Sequence, residues 1–127
     1  MGFVANSIFG SKSVVLRDER TNGDWRFLSA HIGTQGELIF TGHDLGDGVS
    51  SLMGYGEYEW TFTVAAIDIP KLAVALNVRR VFGTRWGRYR RLLRALRRRF
   101  CGGNASQLEP FLEEHGIPYS LWNRVGD

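Results

Sequence analysis

The stretch Glu57–Val64 (EYEWTFTV) constrains the fold more than any other part of this chain. Large apolar side chains alternate strictly with polar ones along its whole length. A period of two places one set on one face of a β-strand and the other set on the opposite face. A strand of this kind is typical of an antiparallel sheet that has one face packed and the other in solvent.

Further strands are predicted on both sides of this one. Short β-branched and aromatic runs bounded by turn residues occur at Ser13–Arg17, Trp25–Ile32, Glu37–Thr41 and Pro118–Val125. The dipeptides Asn22-Gly23 and Gln35-Gly36 favour the positive φ angles that tight hairpin turns require. Between the third and fourth strands, Gly42–Gly56 contains five glycines and is predicted to be a long loop.

Three helices are predicted after the fourth strand. Asp68 is expected to cap Ile69–Asn77, a second helix covers Gly87–Phe100, and a third runs from about Gln107 to His115. Ser106 and Glu109 have the spacing of a capping box at the start of the third helix. The order of elements predicts an α+β fold: one antiparallel sheet of four to five strands with three helices packed on one face.

The length and composition fit one domain that spans residues 1–127. With 127 residues, of which 43% are apolar, the chain can form one substantial core. The only cysteine, Cys101, cannot form an internal disulfide, which is typical of a reducing compartment. We find no signal-peptide pattern and no apolar run long enough for a membrane span. These features predict a soluble cytoplasmic protein that has no membrane partner.

Positive and negative charges occupy different parts of the chain. Between Ile69 and Leu108 there are eleven basic residues and no acidic one, whereas the rest of the chain carries five basic and thirteen acidic residues. The net charge of +3 hides this division. Charge asymmetry of this kind carries information about binding partners rather than about fold.

The second predicted helix carries most of the positive charge. Its apolar residues fall on one stripe of a helical wheel, and the opposite side is purely cationic. The candidate residues for binding an anion or a partner are Arg88, Arg90, Arg91, Arg94, Arg97 and Arg98. Three interpretations stay open: a solvated face in an arginine-rich chain, a contact for an acidic protein, or a contact for nucleic acid. Nucleic acid is less favoured because the helix aromatics lie on the core side and no second positioning element is evident.

Acidic residues gather around the glycine-rich loop. The possible acidic contact surface consists of Asp44, Asp47, Glu57 and Glu59. It is a solvated turn, a contact for a basic partner or, least favoured, a metal site. The spacing of the aspartates does not fit an EF-hand, and no phosphate-binding loop follows, so we predict no metal and no cofactor.

No catalytic constellation is evident in the sequence. Cys101, His115 and Asn104 match no nucleophile signature, and Ser50 and Ser51 fail the nucleophile-elbow pattern. We therefore predict no catalytic residue and no enzyme activity. A weaker third hypothesis is a small enzyme whose site lies near His43, Asp44 and Glu57.

Two segments carry a family resemblance. Phe111–Asp127 (FLEEHGIPYSLWNRVGD) and Thr41–Val64 resemble segments of a group of small bacterial proteins of actinobacterial type. That group supplies no activity that can be carried over. Proteins of similar size and layout include toxin-neutralising immunity proteins, which is an analogy and not a motif match.

The leading hypothesis is a non-enzymatic protein-interaction module, in one form an immunity-type inhibitor of a partner protein such as a toxin. The alternative is a nucleic-acid-binding protein that uses the arginine-rich helix, predicted at residues 87–100. In a further outcome, the arginine helix and the acidic strand pair with each other, within one chain or through self-association. Such pairing would remove the need for an outside partner.

Overall fold

The computed structural model describes residues 13–46, 56–78 and 85–126. Within these ranges the chain forms the α+β arrangement that the sequence predicts, with one sheet and three helices. The strands are β1 (Ser13–Thr21), β2 (Asp24–Ile32), β3 (Leu38–Leu45), β4 (Glu57–Val64) and β5 (Ser120–Gly126). The helices are α1 (Ile69–Ala75), α2 (Arg85–Phe100) and α3 (Leu108–Glu114), with 3-10 segments before α1 and α3.

The five strands form an antiparallel sheet in the order β1-β2-β3-β4-β5, so each strand pairs with its neighbours in sequence. The β1–β2 turn has positive φ angles at Asn22 and Gly23, as the sequence predicts. In the β2–β3 turn only Gly36 has a positive φ, and Gly33 donates a hydrogen bond to the Glu37 carbonyl at 2.8 Å. The Gly36 N–H also donates to the Gly33 carbonyl at 3.1 Å, so the connection is a tight hairpin turn as predicted, with the positive φ at Gly36 and not at Gln35.

The core lies between one face of the sheet and the helices. Strand β4 contributes Phe62 and Val64 to it, and Trp60 packs at its edge, as the alternation predicts. Helix α2 crosses β1 and β2 and buries its apolar stripe. The buried residues of that stripe are Leu92, Leu93, Leu96 and Phe100.

Strand β3 is longer than the sequence predicts, and this changes where the candidate residues lie. The strand continues through Gly42 to Leu45, so His43 and Asp44 belong to the sheet and not to a loop. Gly42 pairs with Trp60 of β4, and a Cβ atom at Gly42 would lie 2.1 Å from the indole ring. The missing side chain lets the indole lie across the strand without breaking the pairing.

Two predicted helix caps are absent. Neither Asp68 before α1 nor the residue before α3 caps its helix through a side chain. Ser106 lies inside the 3-10 segment Gly102–Gln107, and its hydroxyl donates to the Gly103 carbonyl at 3.1 Å. The capping box with Glu109 therefore does not form, because Ser106 is engaged in the preceding turn. Helix α1 ends two residues earlier than predicted, before Asn77, which adopts a φ of 58°.

Candidate functional site

Helix α2 presents its arginines on the side away from the core. Because its apolar stripe is buried against the sheet, the opposite side faces solvent. The exposed arginines are Arg90, Arg91, Arg94, Arg97, Arg98 and Arg99. We refer to these six residues as the arginine face. The side chain of Arg88 lies outside the described part of the structure.

The arginine face is not neutralised by the described part of the chain. Every ion pair found between described residues lies within the sheet, and none includes an arginine of α2. Arg99 makes a different contact, with its guanidinium carbon 4.5 Å from the centre of the Phe111 ring of α3. The pairing of the arginine helix with the acidic strand within one chain, an outcome that the sequence left open, is thus not seen among the described residues.

The predicted acidic contact surface is divided between the two faces of the sheet. Asp44 pairs in register with Arg26, and the two charged groups are 4.0 Å apart on the face that also bears the core. Burial raises the pKa of the Asp44 carboxyl, while Arg26, Arg17 and His43 oppose that shift. Asp47 lies outside the described residues.

Glu57 and Glu59 lie on the opposite face of the sheet, which we call the open face because the helices pack on the other side. Arg124 of β5 places its Nη2 atom 3.2 Å from Glu57 Oε1 and 3.6 Å from Glu59 Oε2. His43 of β3 places its Nε2 atom 3.6 Å from Glu57 Oε1. These carboxylates therefore have cationic or ionisable neighbours from two adjacent strands.

Sequence reasoning placed His43 near Glu57 and Glu59 but did not find Arg124, which is more than sixty residues away along the chain. The signal that could have identified Arg124 is the strand register, because His43 and Arg124 are both direct cross-strand partners of Glu59. That register becomes readable only when the lengths of β3 and β5 are known.

The other candidates for chemistry do not assemble into a nucleophile site in the described structure. Cys101 is exposed, and the ring of His115 packs on Phe111 with centroids 4.3 Å apart. Asn104 lines a cavity of about 340 Å³ beside Arg99 and Phe111, and Cys101 is not part of that lining. Ser50 and Ser51 lie outside the described residues.

Comparison of the chain with protein-family models, with curated proteins and with solved structures gave no match in any of the three. Among the described helices, none combines the length and the apolar character that crossing a bilayer would need.

Proposed function

We propose that this protein is a non-enzymatic interaction module that binds an acidic partner protein through the arginine face. The observation that supports this most directly is the set of exposed guanidinium groups that have no carboxylate partner among the described residues. Arginine suits such a role because its planar fork binds carboxylates in a bidentate manner.

The neighbourhood of the arginine face favours a protein over a nucleic acid. From Arg90 to Arg99 the helix rises only about 14 Å at 1.5 Å per residue. At its C-terminal end the face meets α3, because Arg99 contacts Phe111 and shares a cavity lining with Glu114. Glu113 and Glu114 are exposed there. A phosphate backbone would meet these acidic groups beyond the arginines, whereas a protein surface can present acidic and basic groups in turn.

The size and layout of the chain suggest an immunity-type inhibitor as one form of this module. The acidic surface expected as a second contact region has less support than the arginine face, because Asp44, Glu57 and Glu59 already have cationic neighbours. We therefore assign the partner contact to α2.

The test is recovery and direct measurement of the partner. Tag-free protein immobilised through an amine would be used to capture partners from nuclease-treated lysate of the native host, and the captured protein would be purified and titrated by calorimetry. Replacement of Arg90, Arg94, Arg97 and Arg98 by Gln should abolish binding. The matched variant with Lys at the same four positions keeps the charge and should retain part of the affinity.

Two outcomes would contradict the proposal. A captured protein that binds the Gln variant as tightly as the native chain does not use the arginine face. A strictly monomeric protein with no partner that can be recovered and titrated would also contradict the proposal.

The alternative of nucleic-acid binding uses the same arginines and makes a different prediction. Each phosphate contact should contribute about −0.9 to the log–log slope of duplex affinity against salt concentration, so six contacts would give roughly −5. Saturable binding of a DNA duplex with such a slope would replace the acidic-protein proposal. A duplex affinity that is weak and insensitive to salt would eliminate the alternative.

A further inference from the structure

Three potential metal ligands converge on the open face of the sheet. His43 and Glu59 are direct cross-strand partners, and Glu57 lies two residues from Glu59 on the same side of β4. One ligand atom from each of these residues can be chosen so that all three lie within 4.8 Å of one another. This grouping follows from the strand pairing, because neighbours on one face of a sheet have closely spaced Cβ atoms.

The imidazole of His43 supplies an independent observation. Its Nε2 atom is shielded from solvent and has no hydrogen-bond partner, although it faces the Glu57 carboxylate at 3.6 Å. The ring edge of Trp25 contacts the same imidazole, with centroids 5.5 Å apart. A buried polar atom without a partner costs free energy and calls for an explanation. A bound cation that accepts the Nε2 lone pair provides one.

Arg124 already supplies positive charge at this position. Its Nη2 atom contacts both Glu57 and Glu59, and its side chain is 59% exposed. The guanidinium can therefore rotate into solvent without leaving a buried cavity. Arg124 makes no hydrogen bond to Nε2 of His43, so the guanidinium leaves that atom without a partner.

We propose that His43, Glu57 and Glu59 form a binding site for a divalent transition-metal ion of the Zn²⁺ class, and that Arg124 occupies the carboxylates when the ion is absent. One imidazole nitrogen and two carboxylates are ligands that Zn²⁺ accepts, at bond lengths of about 2.0–2.2 Å. Ligand atoms around a tetrahedral ion then lie about 3.3 Å apart. The glutamate side chains must move inward slightly to reach that spacing, which rotation about their exposed side-chain bonds permits.

The ligand set also predicts which metal ions the site should not bind. Mg²⁺ prefers oxygen ligands and water in a near-ideal octahedron, so one imidazole gives it no advantage. Three protein ligands leave one position for water or for a group from a partner molecule. This inference does not depend on the arginine face, which lies on the helix side of the sheet.

The experiment is calorimetric titration of the full, tag-free chain with ZnCl₂ in a non-chelating buffer, with MgCl₂ in parallel. One equivalent of Zn²⁺ should bind saturably, and Mg²⁺ should give no saturable heat. His43→Gln should weaken Zn²⁺ binding by at least about tenfold, the loss that even an outer-shell partner produces in metal sites. Arg124→Gln should strengthen binding by about 1.4- to fivefold, the range set by release of one exposed guanidinium from its carboxylates.

The matched control is His115→Gln, because His115 is an exposed histidine that packs on Phe111 away from the three ligands. It should bind Zn²⁺ as the native chain does. Far-ultraviolet circular dichroism keeps a folding defect separate from loss of a ligand, and visible d–d absorption after Co²⁺ loading reports the coordination geometry directly.

Three results would overturn the proposal. Zn²⁺ binding that survives His43→Gln but is lost in His115→Gln would place the ion elsewhere. Equal affinity of the native chain and the Arg124→Gln chain would show that Arg124 does not compete for the carboxylates. Absence of saturable Zn²⁺ binding by a folded Arg124→Gln chain would rule out the site.

Discussion

Helix α2 and the sheet differ in how their charged side chains are paired. Carboxylates and guanidinium groups face each other across the strands, as in the Arg26–Asp44 and Arg124–Glu57 pairs. The arginines of α2 have no such counterpart among the described residues. The chain segregates positive and negative charge in its sequence, yet folding neutralises much of the sheet charge internally and leaves the helix charge facing outward.

The reason lies in how each element brings residues together. A sheet places residues from distant parts of the sequence side by side, so Arg124 can reach acids more than sixty positions earlier. A helix brings together its own residues at spacings of three and four, and in α2 these are all of one sign on the polar side. Local charge in the sequence therefore predicts exposed charge better for a helix than for a strand.

The largest effect that tests this comparison comes from loosening α2 from the sheet. Leu96 is completely buried beneath the helix. Leu96→Ala should lower the free energy of unfolding by about 2–5 kcal/mol because a buried cavity forms. Urea denaturation measures this loss. The control Val74→Ala removes methyl groups from a side chain that is 76% exposed, and it should change stability by no more than about 0.5 kcal/mol. Equal effects of the two variants would contradict the packing of α2 described above.

The next effect has the opposite sign. Arg94 has like-charged neighbours at Arg90 and Arg98, each pair costing about 0.2–0.5 kcal/mol. Arg94→Gln should therefore raise the free energy of unfolding by about 0.4–1 kcal/mol at low salt. The gain should shrink at high salt because exposed charges are screened. A variant that is less stable than the native chain would mean that Arg94 has a carboxylate partner in solution.

Arg124→Gln should act in the reverse direction to Arg94→Gln. It removes the contacts to Glu57 and Glu59 and should lower the free energy of unfolding by about 0.2–1 kcal/mol. A double-mutant cycle with Glu57→Gln isolates the pair from other effects. An interaction energy of zero would show that the sheet charges are no better paired than those of α2, and the comparison between the two regions would fail.

The sequence predicts the fold most reliably where one periodicity dominates. The bounds of β4 and the C-terminal end of α2 match the prediction, because strict alternation and an apolar stripe each admit one arrangement. The extension of β3 was missed because glycine at position 42 was interpreted as the start of a loop, whereas it makes room for Trp60. The capping box failed because a local motif could not reveal the 3-10 segment that takes up Ser106.

The sequence predicts the exposed arginines of α2 better than it predicts the charge pairs of the sheet. The helical wheel assigned five of the six exposed arginines from the sequence, and it did not include Arg99 among the candidates. The partners of Asp44 and Glu57 were not predictable, because they depend on the register that hairpins and strand lengths set. Long-range pairing carries this information, and no local pattern in the sequence encodes it.

The smallest expected effect is the pH dependence of stability that His31 gives to the sheet. His31 lies on β2 between Ser13 of β1 and Ile39 of β3, and burial lowers its pKa while the nearby Glu37 carboxylate acts against that shift. The unfolded chain therefore binds a proton at this residue more readily than the folded chain. Stability from the neutral imidazole is present above a pH of about 6.5 and is lost as the pH falls toward the lower folded value.

Urea denaturation at several pH values between about 5 and 8 measures this contribution, in a window above the ordinary range of carboxylates and below that of arginine. The native chain should lose stability as the pH falls, and His31→Gln should lose less. His115→Gln is the control and should keep the native slope, because exposed His115 follows the last residue of α3 and is not part of the sheet. If His31→Gln has the native slope, the acid sensitivity of the sheet arises from another group, and burial of this imidazole has no energetic consequence.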